Sequence, residues 1–339
     1  LQQKQKRELT AFGARLDLIR GRIALFRGDW EQAVGLLGNL TASDPEENRL
    51  ELAKICSLLA GGAYSRQAAD LAERYVTAGL RFLKQQQDDL TLARLYQLRG
   101  NCFGLRGDYD RAQYYLQETV ELLSNMNQSG EVRCVLASAY ADMGRIALCR
   151  NDFSHADPWY KKALGLLKDT ECVGKVWVLV HYGRTVFAVD NHIRAKDLFR
   201  EAYSMAQRTG EPWGRTAAGA YCAYFAMVEG DEDGATRFLS EAAEDETVLN
   251  SPMERGILDF VRMKIRRRLD LEQRQDSALT RLLSDRADDY ARRGVRLCGF
   301  LPDIFEIQML SKDLRDGIST QLRYRSSELY SKNKRFMSE

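Results

Sequence analysis

Gly100-Asn-Cys-Phe-Gly-Leu-Arg-Gly107-Asp108-Tyr109-Asp-Arg-Ala112 is the stretch that decides the fold. It runs from a small residue through an apolar segment to a Gly-Asp pair and an aromatic residue, and it ends at an alanine. Copies with the same spacing occur at Gly21–Ala33, Gly144–Ala156, Gly183–Ala195 and, more faintly, Ala223–Ala235. A phrase repeated with fixed internal spacing indicates a fold built from repeated supersecondary units.

Each position of this pattern has a steric explanation. The first glycine or alanine lets two helices approach closely, and the Gly-Asp or Asn-Asp pair provides a helix stop at which a positive φ is tolerated. The later alanine is the small residue on the returning helix. Each copy is therefore predicted to form a tight antiparallel helix pair.

The pattern resembles the tetratricopeptide repeat, a helix pair with small, aromatic and alanine residues at set places over 34 residues. The second-helix spacing of that family recurs at Ala156, Tyr160 and Ala163. The resemblance implies an all-α, right-handed superhelical solenoid of antiparallel helix pairs, with about six to seven repeats followed by C-terminal capping helices.

The period of the repeat is longer than in the basic form of the family. The alanines at positions 112, 156, 195 and 235 are 39 to 44 residues apart. We expect the surplus between repeats, around 125–132 and 209–215, so that either the helices or the connecting loops are longer.

The chain of 339 residues contains only 5 prolines and no Ser/Gly-rich linker. We expect one continuous array, in which 1–250 holds six repeats and 251–339 holds a divergent helical repeat and capping helices. The second repeat, about 48–83, is expected to be degenerate, with Gly61-Gly62-Ala63 in place of the usual turn. The start at Leu1, without an initiator methionine, suggests a fragment of a larger regulator with further domains.

Charge and cysteine content exclude several classes of function. A net charge of +2 gives no general attraction to nucleic acid or to a membrane. No apolar run has transmembrane length, and no signal-like segment opens the chain, so a cytoplasmic protein is expected. The 7 cysteines are scattered and odd in number, which favours buried thiols over a disulfide or zinc framework.

Enzyme signatures are missing from the sequence. No glycine-rich loop carries the Lys-Ser/Thr that holds a nucleotide, and no nucleophile elbow occurs. None of the 3 histidines has a carboxylate or cysteine at ligand spacing. We therefore expect no catalytic residues, no cofactor and no metal site.

Residues of the predicted inner groove follow from the family resemblance. In tetratricopeptide proteins they lie one, four and five positions after the small residue of the first helix. The positions that we carry over as a binding groove are Arg22, Asn101, Leu105, Arg145, Arg184, Phe187 and Tyr224. Arginine and asparagine donors beside apolar side chains suit an extended peptide or an acidic segment. The alternative is that the arginines are solvated or salt-bridged and that the apolar side chains pack on another helix.

The function predicted from this pattern is a protein- or peptide-binding scaffold or sensor that regulates an attached or bound effector. The repeat style resembles the sensor regions of the maltose-activator class of signal-transducing ATPases and of peptide-sensing regulators of Gram-positive bacteria. Two alternatives stay open. One is a structural assembly scaffold that uses the convex face and the ends, and the other is a small-molecule-sensing regulatory domain.

Overall fold

A computed structural model describes most of the repeat region of the chain. The described residues are 13, 16–24, 29–42, 49–66, 68–84, 88–150, 152–189, 191–249, 252–271 and 278–283. The expected capping helices between 284 and 339 lie outside these residues.

The described part of the chain is helical, and no strand occurs in it. A helical segment at 16–24 precedes the helices with defined ends. Those helices are α1 Trp30–Ala42, α2 Arg49–Ser65, α3 Ala69–Leu83, α4 Asp89–Leu105, α5 Tyr109–Ser124, α6 Gly130–Cys149, α7 Phe153–Leu166, α8 Val173–Ala188, α9 His192–Thr209, α10 Pro212–Val228, α11 Glu232–Leu249, α12 Pro252–Leu271 and α13 Ala278–Leu282.

Consecutive helices form the expected pairs, and the pairs stack in two layers. The pairs are α2 with α3, α4 with α5, α6 with α7, α8 with α9, and α10 with α11. The first helices α2, α4, α6, α8, α10 and α12 each contact the next first helix, so they form one continuous layer. The second helices form the other layer. This is the architecture of a solenoid in which each repeat packs on its neighbours.

The signature glycines lie where the two helices of a pair touch. A Cβ atom added to Gly144 meets the Tyr160 ring at 2.7 Å, and one added to Gly183 meets the Phe199 ring at 2.9 Å. In both pairs the partner lies four residues after the key alanine. The steric reading of the pattern is therefore confirmed, because only glycine leaves room for the aromatic ring.

The Gly-Asp pair has two separate tasks in the turn. Gly107 adopts a φ of 77°, which few side chains tolerate. The Asp108 carboxylate then accepts a hydrogen bond from the Arg111 backbone N–H and caps α5. Asp152 and Asn191 cap α7 and α9 in the same way. The aspartate thus belongs to the start of the second helix rather than to the stop of the first.

The rings that face the glycines also join one repeat to the next. Tyr160 stacks on Tyr182 of α8 with ring centres 5.2 Å apart, and Phe199 stacks on Tyr221 of α10 at 4.1 Å. All four side chains are buried. In each of these repeats, one aromatic side chain therefore makes both the contact within its helix pair and the contact to the next pair.

The expected turn in the second repeat needs correction. Gly61 and Gly62 are not a turn, because α2 continues to Ser65. Ala60, which is fully buried, stands 12 positions before Ala72 and takes the place of the signature glycine. The second repeat is therefore regular in register, and its glycines sit on the first helix.

The extra length of the repeat lies largely in the helices. From α4 to α11 they contain 14 to 20 residues. Only Gly210 and Glu211 separate α9 from α10, so the interval 209–215 is not a long loop. Glu211 makes this sharp junction, since its buried carboxylate caps α10 just before Pro212.

Candidate functional site

The inner groove is the face of the first-helix layer at the positions one, four and five residues after each signature small residue. Stacked first helices line the concave surface of such arrays. Of the predicted groove residues, Asn101, Arg145, Arg184 and Phe187 are buried, Leu105 and Tyr224 are half-buried, and Arg22 is exposed. The predicted groove residues of the middle repeats are thus less exposed than the one in the first repeat.

A polar network occupies the centre of the groove. The Arg145 Nη2 donates to the Asn101 Oδ1 at 2.8 Å and lies 3.3 Å from the Asp142 Oδ1. The Asn101 and Gln97 amides both donate to the other oxygen of Asp142, at 3.0 and 2.8 Å. The amides of α4 and the ion pair of α6 are therefore one connected unit across two repeats.

A glycine at a groove position makes room for this network. A Cβ on Gly104, four residues after Gly100, comes within 2.9 Å of the Ile146 side chain and 3.7 Å of the Arg145 Nη1. The close approach of α4 to α6 therefore depends on a missing side chain beside the guanidinium. This explains how Arg145 reaches Asn101 rather than extending into solvent.

Two guanidiniums, those of Arg145 and Arg184, lie near His181 at the groove centre, and Asp142 is the counter-charge of Arg145. Burial and then the charges of Arg184 and Arg145 hold the pKa of His181 well below 6.5, so this imidazole is neutral at neutral pH. Burial raises the pKa of Tyr64 to about 12, although the charge of Arg145 lowers it. Both side chains are therefore neutral at neutral pH beside the guanidiniums.

An aromatic cluster follows the polar network along the groove. The ring of Phe187 on α8 makes an edge contact with Tyr224 on α10 at 5.4 Å between ring centres. Lys264 on α12 holds its Nζ 4.4 Å from the centre of the Phe187 ring, and His192 stacks on the same ring at 5.0 Å. The cluster joins three successive first helices, and its lysine is in contact with aromatic faces.

Within the described residues, no group of three or more His, Cys, Asp or Glu side chains is arranged to hold a metal ion. Among those residues, too, none of the helices combines the length and apolar character needed to cross a bilayer.

Comparisons with known proteins identify the architecture. No family model and no curated protein matches the sequence. A Rap protein complexed with the competence and sporulation factor matches at a TM-score of 0.62 and 11% identity, over 84% of this chain and 76% of that one. The chain has the tetratricopeptide-repeat fold.

Two further solved structures share this fold. Aspartyl phosphate phosphatase F from Bacillus subtilis matches at a TM-score of 0.58 and 12% identity, over 89% of this chain and 74% of that one. A signal transduction ATPase with a tetratricopeptide repeat sensor, from Pyrococcus horikoshii, matches at 0.50 and 15%, over 79% of this chain and 40% of that one. At such identities the likeness concerns the solenoid itself.

Several groove residues of the tetratricopeptide solenoid escaped the sequence reasoning. Asp142 and Gln97 lie three and four residues before Arg145 and Asn101, one helical turn earlier on the same face. Including the positions one helical turn before each predicted groove residue would have found both Asp142 and Gln97. Tyr64 was missed because the glycines of repeat two were read as a turn, whereas it lies four residues after Ala60.

Proposed function

We propose that this solenoid is a protein- or peptide-binding sensor module whose inner groove holds an extended segment and regulates an attached or bound effector. The observation that carries the proposal is the arrangement of the groove. Asn101, Arg145 and Arg184 stand on three successive first helices, and the aromatic pair Phe187 and Tyr224 follows them. Asn101 and Arg145 hydrogen-bond each other and Asp142 in the protein alone. A bound segment would exchange part of this network for bonds to its own backbone and would pack its side chains on the neighbouring rings.

The charge of the site favours an acidic group on the bound segment. Asp142 pairs with Arg145, and Arg184 adds a second guanidinium near His181, whose pKa is held low by burial and then by both arginines. A carboxylate that enters beside these arginines gains charge-assisted hydrogen bonds. The Rap structure, complexed with the competence and sporulation factor, supports the idea that this fold can hold a bound partner. A cytoplasmic location for the module is part of the same proposal.

A selection from a random library of linear, mRNA-displayed peptides tests this proposal. The purified protein is the bait, and enriched peptides are measured against Arg184→Gln and Tyr224→Ala. We expect each groove variant to weaken binding at least about tenfold, because interface arginines and tyrosines often dominate binding energy. Enriched peptides should contain Asp or Glu and should bind less tightly at high salt.

Matched variants on the outer layer provide the control. Arg237→Gln on α11 and Tyr114→Ala on α5 remove the same side chains from exposed positions. They should leave peptide affinity within about twofold of the wild type, since surface contacts outside an interface contribute little. Equal losses from groove and outer variants, or no enriched peptide at all, would contradict groove binding. Calorimetry with sugars and nucleotides then tests the small-molecule alternative.

One observation favours assembly through the outer face as a second candidate. Tyr114 is 57% exposed and contacts Tyr115, which stacks on Phe103 at 5.6 Å. Arg111 and Arg99 lie over these rings at 4.5 and 5.2 Å. Tyrosine and arginine are enriched in protein interfaces. If Tyr114→Ala abolishes capture of a protein partner that Tyr224→Ala still binds, the scaffold function is the correct one.

A further inference from the structure

Two cysteines of neighbouring repeats lie in direct contact. The Cys134 Sγ, near the start of α6, donates to the Cys172 Sγ at 3.4 Å, and Cys172 immediately precedes α8. Both are partly exposed, whereas Cys56, Cys102, Cys149 and Cys222 are buried. The expectation of buried thiols is therefore wrong for this pair.

The surroundings of the pair allow the sulfur atoms to approach further. A disulfide needs a separation of about 2.0 Å, which is about 1.4 Å shorter than the present contact. Cys172 has an extended backbone, with φ −146° and ψ 157°, and follows non-helical residues at 170–171. We expect rotation of the Cys134 and Cys172 side chains to supply this movement, because the backbone of Cys172 is tied to the first turn of α8 by the bonds from Lys175 and Val176.

We propose that Cys134 and Cys172 form a redox-active dithiol site, which a low-molecular-weight disulfide such as oxidised glutathione converts to a disulfide. A thiolate of the pair attacks the small disulfide, forms a mixed disulfide and releases one small thiol. The second thiolate then attacks the protein sulfur of the mixed disulfide and releases the second small thiol. Two protein thiols are oxidised, one small disulfide is reduced, and their two protons end on the two released thiols.

The environment of the two sulfurs suggests the order of attack. Burial, and then the hydrogen bond to Cys172, raise the pKa of Cys134 to about 11. The thiolate of Cys134 is therefore scarce at neutral pH while it donates to Cys172, and the direction of this contact assigns the first attack to Cys172. Cys134 is in contact with it and resolves the mixed disulfide.

Peptide mapping of the folded protein tests the site directly. Protein is equilibrated in buffers with increasing ratios of oxidised to reduced glutathione, alkylated, unfolded and digested with trypsin. Cleavage after arginine and lysine yields peptides 134–145 and 169–175, each with one cysteine. We expect these two peptides to appear as a linked pair that has lost two hydrogen atoms and that separates on reduction. The cross-link should also raise the Tm, because it closes a loop of 38 residues between the two repeats.

Serine variants separate this site from general thiol oxidation. In Cys134→Ser, Cys172 should accumulate as a stable mixed disulfide with glutathione, because the resolving thiol is absent. In Cys172→Ser, modification of Cys134 should be at least about tenfold slower. Cys149→Ser, on the same helix α6, should form the link as the wild type does. Circular dichroism checks that each variant is folded. Absence of the linked pair across all buffers, or linkage mainly to other cysteines, would overturn the proposal.

Discussion

The guanidinium of Arg145 sits inside the protein because a carboxylate of its own helix accompanies it. Its side chain is 5% exposed and that of Asp142 is 12% exposed. A buried charge without its partner is costly, whereas a complete pair with hydrogen-bonded oxygens is tolerated. At the scale of single residues, the groove centre is therefore a unit whose parts depend on one another.

This dependence predicts a large effect of removing the carboxylate. Asp142→Ala should lower the free energy of unfolding by about 3 to 5 kcal/mol, since it leaves a buried guanidinium without its counter-charge. Urea denaturation measures the effect. Asp70→Ala is the matched control, because Asp70 also pairs with an arginine, Arg106, but is 91% exposed. A surface pair of this kind contributes little. Similar losses of unfolding free energy in both variants would show that the pair of Arg145 and Asp142 is not buried in solution.

His181 predicts a specific dependence of stability on pH. Its pKa is well below 6.5 in the folded protein, so the unfolded chain takes up the proton first as pH falls. The stabilising contribution is complete above about pH 6.5 and is lost as pH falls from there toward the folded-state pKa. The loss is at most about 1.4 kcal/mol per pH unit.

The measurement is the free energy of unfolding between pH 7 and pH 5 for the wild type and for His181→Gln. The variant should lose less stability over this range, because glutamine does not titrate. The same change of unfolding free energy with pH in the wild type and in His181→Gln would contradict a depressed pKa of His181.

At the scale of helices, the sequence determines much of the structure because the constraints are local. The cap by Asp108, the positive φ of Gly107 and the contact of Gly144 with Tyr160 all act within one helix pair. Spacing along the chain is then sufficient to predict them. The hydrogen bond between Asn101 and Arg145 joins residues 44 positions apart on different pairs. Its existence depends on how closely α4 approaches α6, which no local pattern specifies.

The helix contacts predict opposite effects for two glycine-to-alanine substitutions. Gly144→Ala places a methyl group 2.7 Å from the Tyr160 ring and should cost about 1 to 3 kcal/mol through overpacking. Gly165→Ala on α7 meets nothing within 4 Å and should be neutral or stabilising by up to about 1 kcal/mol. Thermal and urea unfolding of both variants check the prediction. Destabilisation by Gly165→Ala as large as that of Gly144→Ala would contradict this packing.

At the scale of the whole molecule, apolar packing is distributed unevenly along the array. One cluster of buried side chains continues from α6 to α13 and includes the stacked rings of Tyr160, Tyr182, Phe199 and Tyr221. The pair α2 and α3 lies in several smaller clusters. Because a solenoid is held by contacts between neighbouring repeats, its parts can open separately.

Hydrogen exchange followed by mass spectrometry should therefore show two levels of protection. In denaturant below the main transition, we expect amides of α2 and α3 to exchange at least about tenfold faster than amides of α8 to α10, because fewer buried contacts hold them. Gly144→Ala should increase exchange in α6 and α7, which it separates, more than in α2 and α3. Gly165→Ala should preserve the wild-type order. Equal exchange rates in all helices would mean that the array unfolds as one cooperative unit. The longer apolar cluster from α6 onward would then give those helices no additional local stability.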